Sequence, residues 1–410
     1  MLDVQKLRQD FPIFQRTMNG KPLVYLDSGA TTQKPQQVIT AVSNYYQQHN
    51  ANVNRGVYEL AEESTQMYEA ARQAVAQFIG AKATEIIFTR NTTESLNLLA
   101  YAWGLAHLKT GDEIIVSLME HHSNIVPWQI IAAQTRAKLL FVGLTEDGEL
   151  NLGPKPGGLN HLLSKKTKIV SLTHISNVLG TINPLAQIFK KVKRFNPNII
   201  CIADGAQSVP HMPVNVASLH ADFLAFSGHK ICGPMGIGVL WGKEELLETM
   251  PPFLGGGDMI KAVYLDKAEY KDLPHKFEAG TPNVAGAVGL KTALEYIQTI
   301  GIEAIASHEQ ELVNYALAQL KKVTEAIVYG PDNRSGLIAF SYKGVHAHDV
   351  GQVLANDGIA VRSGQHCTMP LHEHLSCLAT TRLSLYIYNS KNDIDQLMTS
   401  LEKVKKVFSI

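Results

Sequence analysis

The sequence is short of cysteine, with four residues, Cys201, Cys232, Cys367 and Cys377, in a chain of 410. So few and so scattered, they cannot frame a disulfide-stapled fold, and a reducing compartment is expected. Charge of a dominant sign is also missing: 37 basic side chains cancel 37 acidic ones. No net field therefore draws the chain to nucleic acid or to an anionic membrane. No apolar run approaches the ~18 residues that a membrane-spanning helix needs. Residues 1–14 carry Asp3, Lys6, Arg8 and Asp10 where a signal peptide would be apolar. These absences predict a soluble, cytoplasmic protein with no nucleic-acid or membrane partner and a small neutral or zwitterionic ligand. Internal repeats, low-complexity tracts and long linkers are missing too. No strand-to-helix turn has the Gly-x-Gly-x-x-Gly pattern, and no Gly-x-x-x-x-Gly-Lys-Ser/Thr loop occurs, which disfavours a nicotinamide or nucleotide enzyme. Gly233, Gly236 and Gly238 enter a strand rather than a helix and are read as close backbone packing.

What is present is an ordinary globular composition, 45% hydrophobic and 18% charged, long enough for two or three lobes. Short apolar runs at 85–89, 113–118, 138–142, 168–172, 199–203, 222–226 and 236–241 alternate with amphipathic stretches. This pattern predicts a largely parallel sheet covered by helices. The basic cluster Lys190, Lys191, Lys193 and Arg194 is read as the solvated face of a helix whose stripe is Leu185, Ile188, Phe189 and Val192. Beyond about residue 301 the pattern becomes helix, strand, helix, strand. A last helix carries Ile394, Leu397, Met398, Leu401 and Val404, and the whole reads as a second, smaller domain.

Ligands of open α/β sheets bind outside the carboxyl ends of the strands. The residues after the runs are therefore the candidates. Asp204 and Lys230 follow adjacent runs; a lysine there could form a Schiff base with a cofactor aldehyde, and the carboxylate could hold a protonated pyridine nitrogen. Each alone would be a turn residue or a solvated charge. Thr92, Thr93 and Glu94 precede a helical stretch at 95–102 and read either as a phosphate-receiving helix start or as a plain Thr cap. His121 could stack on a cofactor face or move a proton. The polar segment 362–370 carries Cys367 beside His366 and near Arg362, where a thiolate would be favoured. A zinc reading of His366, Cys367, His372, His374 and Cys377 matches no common spacing.

Together the motifs identify a resemblance that runs essentially end to end. They are Tyr25-Leu26-Asp27-Ser28-Gly29-Ala30-Thr31-Thr32, Thr92-Thr93-Glu94, Glu120-His121-His122, Ser176-Asn177-Val178-Leu179-Gly180, Asp204-Gly205-Ala206-Gln207, Ser227-Gly228-His229-Lys230, Phe277-Glu278-Ala279-Gly280-Thr281-Pro282-Asn283, the Cys367 loop and Arg382. The chain resembles the class V aminotransferase-like cysteine desulfurases that use pyridoxal 5'-phosphate, most closely the SufS type. The resemblance implies a fold-type I α/β architecture, a large domain with a mostly parallel seven-stranded sheet and a smaller α+β C-terminal domain. The implied division is an N-terminal segment 1–20 packing with the small domain, a large cofactor domain 21–300, and a small domain 301–410 carrying the Cys loop. It further implies a homodimer with the cofactor near the subunit interface.

Carried over residue by residue, Lys230 would hold the cofactor aldehyde, Asp204 its ring nitrogen, Gln207 its phenolic oxygen and His121 its ring face. Thr92, Thr93, Ser227 and His229 would bind phosphate, with Thr281 coming from the partner subunit. Asn177 and Arg382 match positions that hold the substrate carboxylate, with Arg362 also in the substrate site. Lys230 would move the substrate α-proton, His121 would assist proton transfers, and Cys367 would take the sulfur of L-cysteine as a persulfide, leaving L-alanine. The implied destination is a SufE-type acceptor or activator and an iron–sulfur cluster scaffold, since a short Cys loop resembles that of members needing an activating partner.

The chain departs from the SufS pattern at Asn54 and Tyr58, around Arg55-Gly56, and at Ser363 and Gln365 in the Cys loop. A selenocysteine lyase acting on L-selenocysteine, or a cyst(e)ine C–S lyase, on the same fold is the alternative. A non-catalytic scaffold is a third, against which the intact Lys230, Asp204 and Cys367 argue.

Overall fold

Six of the seven apolar runs become strands buried on both faces, as a helix-covered sheet demands, while the run at 138–142 forms a partly buried strand at the sheet edge. The structure, a computed structural model, describes residues 2–54 and 56–409; Arg55, noted above, lies outside the described residues. The strands are β1 (Ile86–Thr89), β2 (Glu113–Ser117), β3 (Lys138–Val142), β4 (Thr167–Thr173), β5 (Ile200–Asp204), β6 (Phe223–Ser227) and β7 (Gly238–Gly242). They form one seven-stranded sheet in the order β1-β7-β6-β5-β4-β2-β3. The pairings of β2 through β6 are parallel. β7 runs antiparallel to both β1 and β6, a reversal that hydropathy alone does not announce.

Alternate residues along each strand enter different cores. Ile86, Phe88, Val170, Leu172, Cys201 and Ala203 join one apolar cluster, and Ile87, Ile169, Ile200 and Ile202 join another. The first cluster is closed by α1 (Glu59–Ile79), by α4 (Leu185–Phe195) and by α5 (Val284–Ile300). The second is closed by α2 (Thr92–Leu98), a following π-helical segment Leu99–Gly104, and α3 (Val126–Thr135). In α4 the stripe Leu185, Ile188, Phe189 and Val192 is buried as its spacing predicts. One of its basic residues is not simply solvated: Lys193 reaches the buried Asp222 at 2.5 Å.

After α6 (Ile302–Leu320), β8 (Ala326–Tyr329), β9 (Leu337–Tyr342), β10 (Arg362–Gly364) and β11 (Thr380–Ser384) form a four-stranded sheet in the order β8-β9-β11-β10. Helices α7 (Ala347–Asn356), α8 (Met369–His374) and α9 (Lys391–Phe408) complete this region. Its core takes Val24 and Leu26 from the start of the chain, because Val24–Tyr25 pairs in parallel with Ile359–Ala360. Farther upstream, Arg8 pairs with Asp393 at 2.7 Å. This return of residues 24–32 carries Asp27 and Gly29 to the mouth of the larger sheet.

Candidate active site

The parallel strands deliver their carboxyl ends to one edge, and that edge opens onto a cavity of about 290 Å³. Twelve of the thirteen residues anticipated from the sequence line it: Thr92, Thr93, His121, Asn177, Asp204, Gln207, Ser227, His229, Lys230, Arg362, Cys367 and Arg382. Thr281 does not. It lies on an exposed loop lining a separate cavity of about 380 Å³. That loop is anchored by Glu278, which accepts from Arg72 at 2.7 Å and from the Phe88 N–H at 2.7 Å.

The local folding of each edge residue follows from its neighbours. Helix α2 begins at Thr92, and its cap is Asn91, whose side chain accepts from the Glu94 N–H at 3.0 Å. The expected Thr cap and the start at residue 95 are thereby corrected: Asn91 reaches the N3 donor, which frees the Thr92 hydroxyl for Ser227 at 2.7 Å and the Thr93 hydroxyl for Ser123 at 2.7 Å. Gly238 is required opposite this turn, since a Cβ there would lie 2.5 Å from Asn91 Cα.

At the end of β5, Asp204 is 3% exposed and accepts from the Ala206 N–H at 3.0 Å. Burial raises its carboxyl above the usual range, against the pull of that N–H and of Lys230. Lys230, just past β6, is pushed down to about 8 by burial, with the Asp204 charge opposing. For both groups burial outweighs their mutual attraction. His121 is lowered to about 3, first by burial and then by Lys230, so it is neutral across the physiological range. Its Nδ1 accepts from the Ser123 N–H at 3.1 Å, which leaves the proton on Nε2. The carbonyl of His229 accepts from Lys34 Nζ at 3.0 Å, so residues 31–34 fix the turn that carries Lys230.

Two arginines share one carboxylate. Arg362 bonds Asp27 through Nε and Nη2 at 3.0–3.2 Å. Arg382, 2% exposed, bonds Asp27 at 3.2 Å and the Asn177 carbonyl at 2.8 Å. Asn177 Nδ2 in turn donates to the carbonyl of His366 at 2.8 Å, tying its amide to the Cys loop. Cys367 is exposed and also lines the cavity. His366 and His372 share the Thr380 hydroxyl at 2.9 and 3.2 Å. Among the described residues no three His, Cys, Asp or Glu side chains converge as metal ligands would.

Sequence reasoning missed Ser123, Asp27 and Gly29 as site residues, and missed the capping role of Asn91. Ser123 bridges Thr93 and His121, and the Gly29 carbonyl accepts from Gln207 Nε2 at 2.7 Å. Asp27 and Gly29 stood within a quoted motif, but their partners are some 180 to 360 residues away, and no local spacing reports that.

The site has clear relatives. The sequence matches the aminotransferase class-V family over residues 24–397. It is 49% identical to a probable cysteine desulfurase of Streptomyces coelicolor, an alignment that covers 100% of this chain and 98% of the relative. The fold superposes on the apo structure of a cysteine desulfurase from Thermococcus onnurineus NA1 with a TM-score of 0.92 and 40% identity, covering 99% of each chain. It also superposes on an S-sulfonic acid form of the cysteine desulfurase CsdA from Escherichia coli, with a TM-score of 0.90 and 39% identity over 100% of each chain.

Proposed function

The chain belongs to the aminotransferase class-V family, and from that premise we propose the residue roles, the SufS-type assignment and the cellular task that follow. The protein is a cysteine desulfurase that uses pyridoxal 5'-phosphate. The cavity fits that cofactor on its own chemistry. Among the described residues, buried Gln207 Oε1, His229 Nδ1 and Arg382 Nε lack partners, although buried polar atoms are otherwise nearly always bonded. Asp204 and Lys230 meet across the same space with shifted ionisation.

When bound, pyridoxal phosphate supplies an electron sink conjugated to the substrate α-carbon. In our reading Lys230 holds its aldehyde, Asp204 keeps the ring nitrogen protonated, Gln207 serves the phenolic oxygen through its second amide N–H, and His121 covers the ring. Thr92, Thr93, Ser227 and His229 receive phosphate, with Thr281 supplied by the partner of a homodimer. Arg382 and Asn177 orient the L-cysteine carboxylate, with Arg362 at the rim. Lys230, its amine left partly neutral by burial and so able to accept a proton, carries the α-proton. The Cys367 thiolate attacks the substrate sulfur. The Cβ–Sγ bond breaks, its electron pair stays with the carbon skeleton, and a proton takes the place of sulfur at Cβ. The balance is L-cysteine plus thiol giving L-alanine plus persulfide, with no external oxidant.

The observation that carries this reading is the convergence of Lys230, Asp204, Arg382 and Cys367, from two distant stretches of chain, on one cavity. The persulfide is read as passing to a SufE-type acceptor and then to iron–sulfur cluster assembly in the cytoplasm; no helix among the described residues is long and apolar enough to cross a membrane. The division at residues 20 and 300 belongs to the same reading; the apolar clusters cross both bounds, since Val24 and Leu26 join the cluster at the smaller sheet and Phe11, Ala339, Leu371 and Tyr386 join one at the larger sheet. The test is product analysis. Alanine with a persulfide is expected, and pyruvate with ammonia would mark a C–S lyase instead.

A further inference from the structure

Two consecutive non-glycine residues, His366 and Cys367, lie in the left-handed backbone region at φ 50° and 59°. L side chains adopt it at a steric cost, and such a pair persists only where its surroundings over-determine the turn. Much of that determination comes from one residue outside the loop. The backbone N–H of His122 donates to the Cys367 carbonyl at 2.8 Å. Two residues farther along, the Met369 N–H donates to His122 Nε2 at 3.0 Å.

Met369 opens α8, and Thr368 before it gives no side-chain cap. The Thr368 hydroxyl instead turns back to the Gln365 carbonyl at 2.7 Å. Pro370 has no N–H to offer. The Met369 N–H is thus the first free donor of this helix, and a ring from 247 residues away accepts it. Accepting at Nε2 makes His122 a neutral imidazole with its proton on Nδ1, because an imidazolium has no acceptor. Burial, which lowers His122 from its usual value, favours the same form.

We infer that His122 is a positioning residue for the sulfur-accepting thiol: its two bonds, to the Cys367 carbonyl and to the Met369 N–H, hold the exit of the strained turn that presents Sγ to the cavity. His122 is not among the residues lining that cavity, whereas His121 is. Adjacent residues of one segment therefore serve the two reacting partners, His121 toward the ring and His122 toward the thiol. The gap between ring and thiol is then set by a single peptide unit rather than by a flexible loop. This inference rests on the reading of Cys367 as sulfur acceptor.

The test uses the holoenzyme with His122→Phe, which keeps ring bulk and the backbone bond but removes the acceptor, and with His122→Gln, which restores an acceptor oxygen. Since a displacement of about 1 Å can cost two orders of magnitude, His122→Phe should lose roughly tenfold or more in kcat for alanine and in persulfide on Cys367. Exchange of the L-cysteine α-proton in deuterated water and KM should stay within about twofold of wild type, because neither step needs the thiol. His122→Gln should recover most of the loss. In cofactor-free protein, iodoacetamide should alkylate Cys367 faster in His122→Phe than in wild type, and His122→Gln should reverse this. An unchanged ratio of alanine formation to α-proton exchange in His122→Phe, an equal loss of both, or a His122→Gln as defective as His122→Phe would each overturn the inference. Cys367→Ser, run alongside, separates the failures: normal alanine production there removes the premise itself, whatever His122 does.

Discussion

Arg382 offers the sharpest quantitative test of the substrate site. Its guanidinium is 2% exposed, bonds Asp27 and the Asn177 carbonyl, and keeps a buried Nε with no partner among the described residues. A substrate carboxylate there would take two charge-assisted hydrogen bonds of about 1.5 kcal/mol each. Removing both costs ~3 kcal/mol, or roughly a 100-fold loss of kcat/KM. Arg382→Met preserves the side-chain volume, and Asp27 stays paired with Arg362 at 3.0 Å, so the fold should survive. The loss should fall mainly on KM, since the carboxylate bond is made in ground and transition states alike. Arg382→Lys should recover only part, because an ammonium cannot span both carboxylate oxygens. The assay is steady-state alanine formation over a cysteine titration, repeated with L-cysteine methyl ester, which lacks the carboxylate. The ester should react almost equally with wild type and variant. A fall of less than about fivefold with L-cysteine, or an equal fall with the ester, would refute the assignment.

Lys230 predicts a pH dependence. Burial lowers its amine to about 8, below the ~10.4 of an unfolded chain, so the charged form is the one that folding penalises. The penalty is full below about 8 and is gone once pH has risen past the unfolded value, while the neutral amine of the folded protein gains as pH passes about 8. Cofactor-free protein should therefore take up pyridoxal phosphate faster as pH climbs past about 8; a rate that changes only above about 10 would contradict the burial argument. Asp204→Asn should retain some cofactor yet lose at least about tenfold in α-proton exchange, because a neutral amide cannot hold the ring nitrogen protonated. Undiminished exchange in deuterated water would remove Asp204 from its role.

The strands were the most legible part of the chain because burial on both faces writes six of the seven as continuous apolar runs, the partly buried edge strand β3 being apolar as well. The run at 138–142 coincides with β3, and that at 113–118 overshoots β2 by one residue. The strand ends were legible for the same reason, since polar residues following apolar runs had to face a common edge. Pairing direction was not: β7 reverses with no change in composition. Nor was the pairing of Val24–Tyr25 with Ile359–Ala360, which depends on contacts across most of the chain. Hydrogen-bond partners were the least legible. Asn91 rather than a threonine caps α2, Lys193 reaches a buried aspartate rather than solvent, and His122 braces a helix start far along the sequence. The last two are decided by tertiary neighbours that local propensity does not record, whereas the Asn91 cap is a local bond that N-cap preference could have found.

Sulfur passing to Cys367 is the central step, and it is measured most directly by mass mapping of the holoenzyme after incubation with L-cysteine and no acceptor. The Cys367 peptide should carry one additional sulfur atom that a reductant removes, with alanine formed in equal amount. Cys367→Ser should bind L-cysteine and exchange its α-proton while forming little alanine, since a hydroxyl is a poor nucleophile toward sulfur. A persulfide on Cys377 instead, or alanine at the normal rate from Cys367→Ser, would contradict the account.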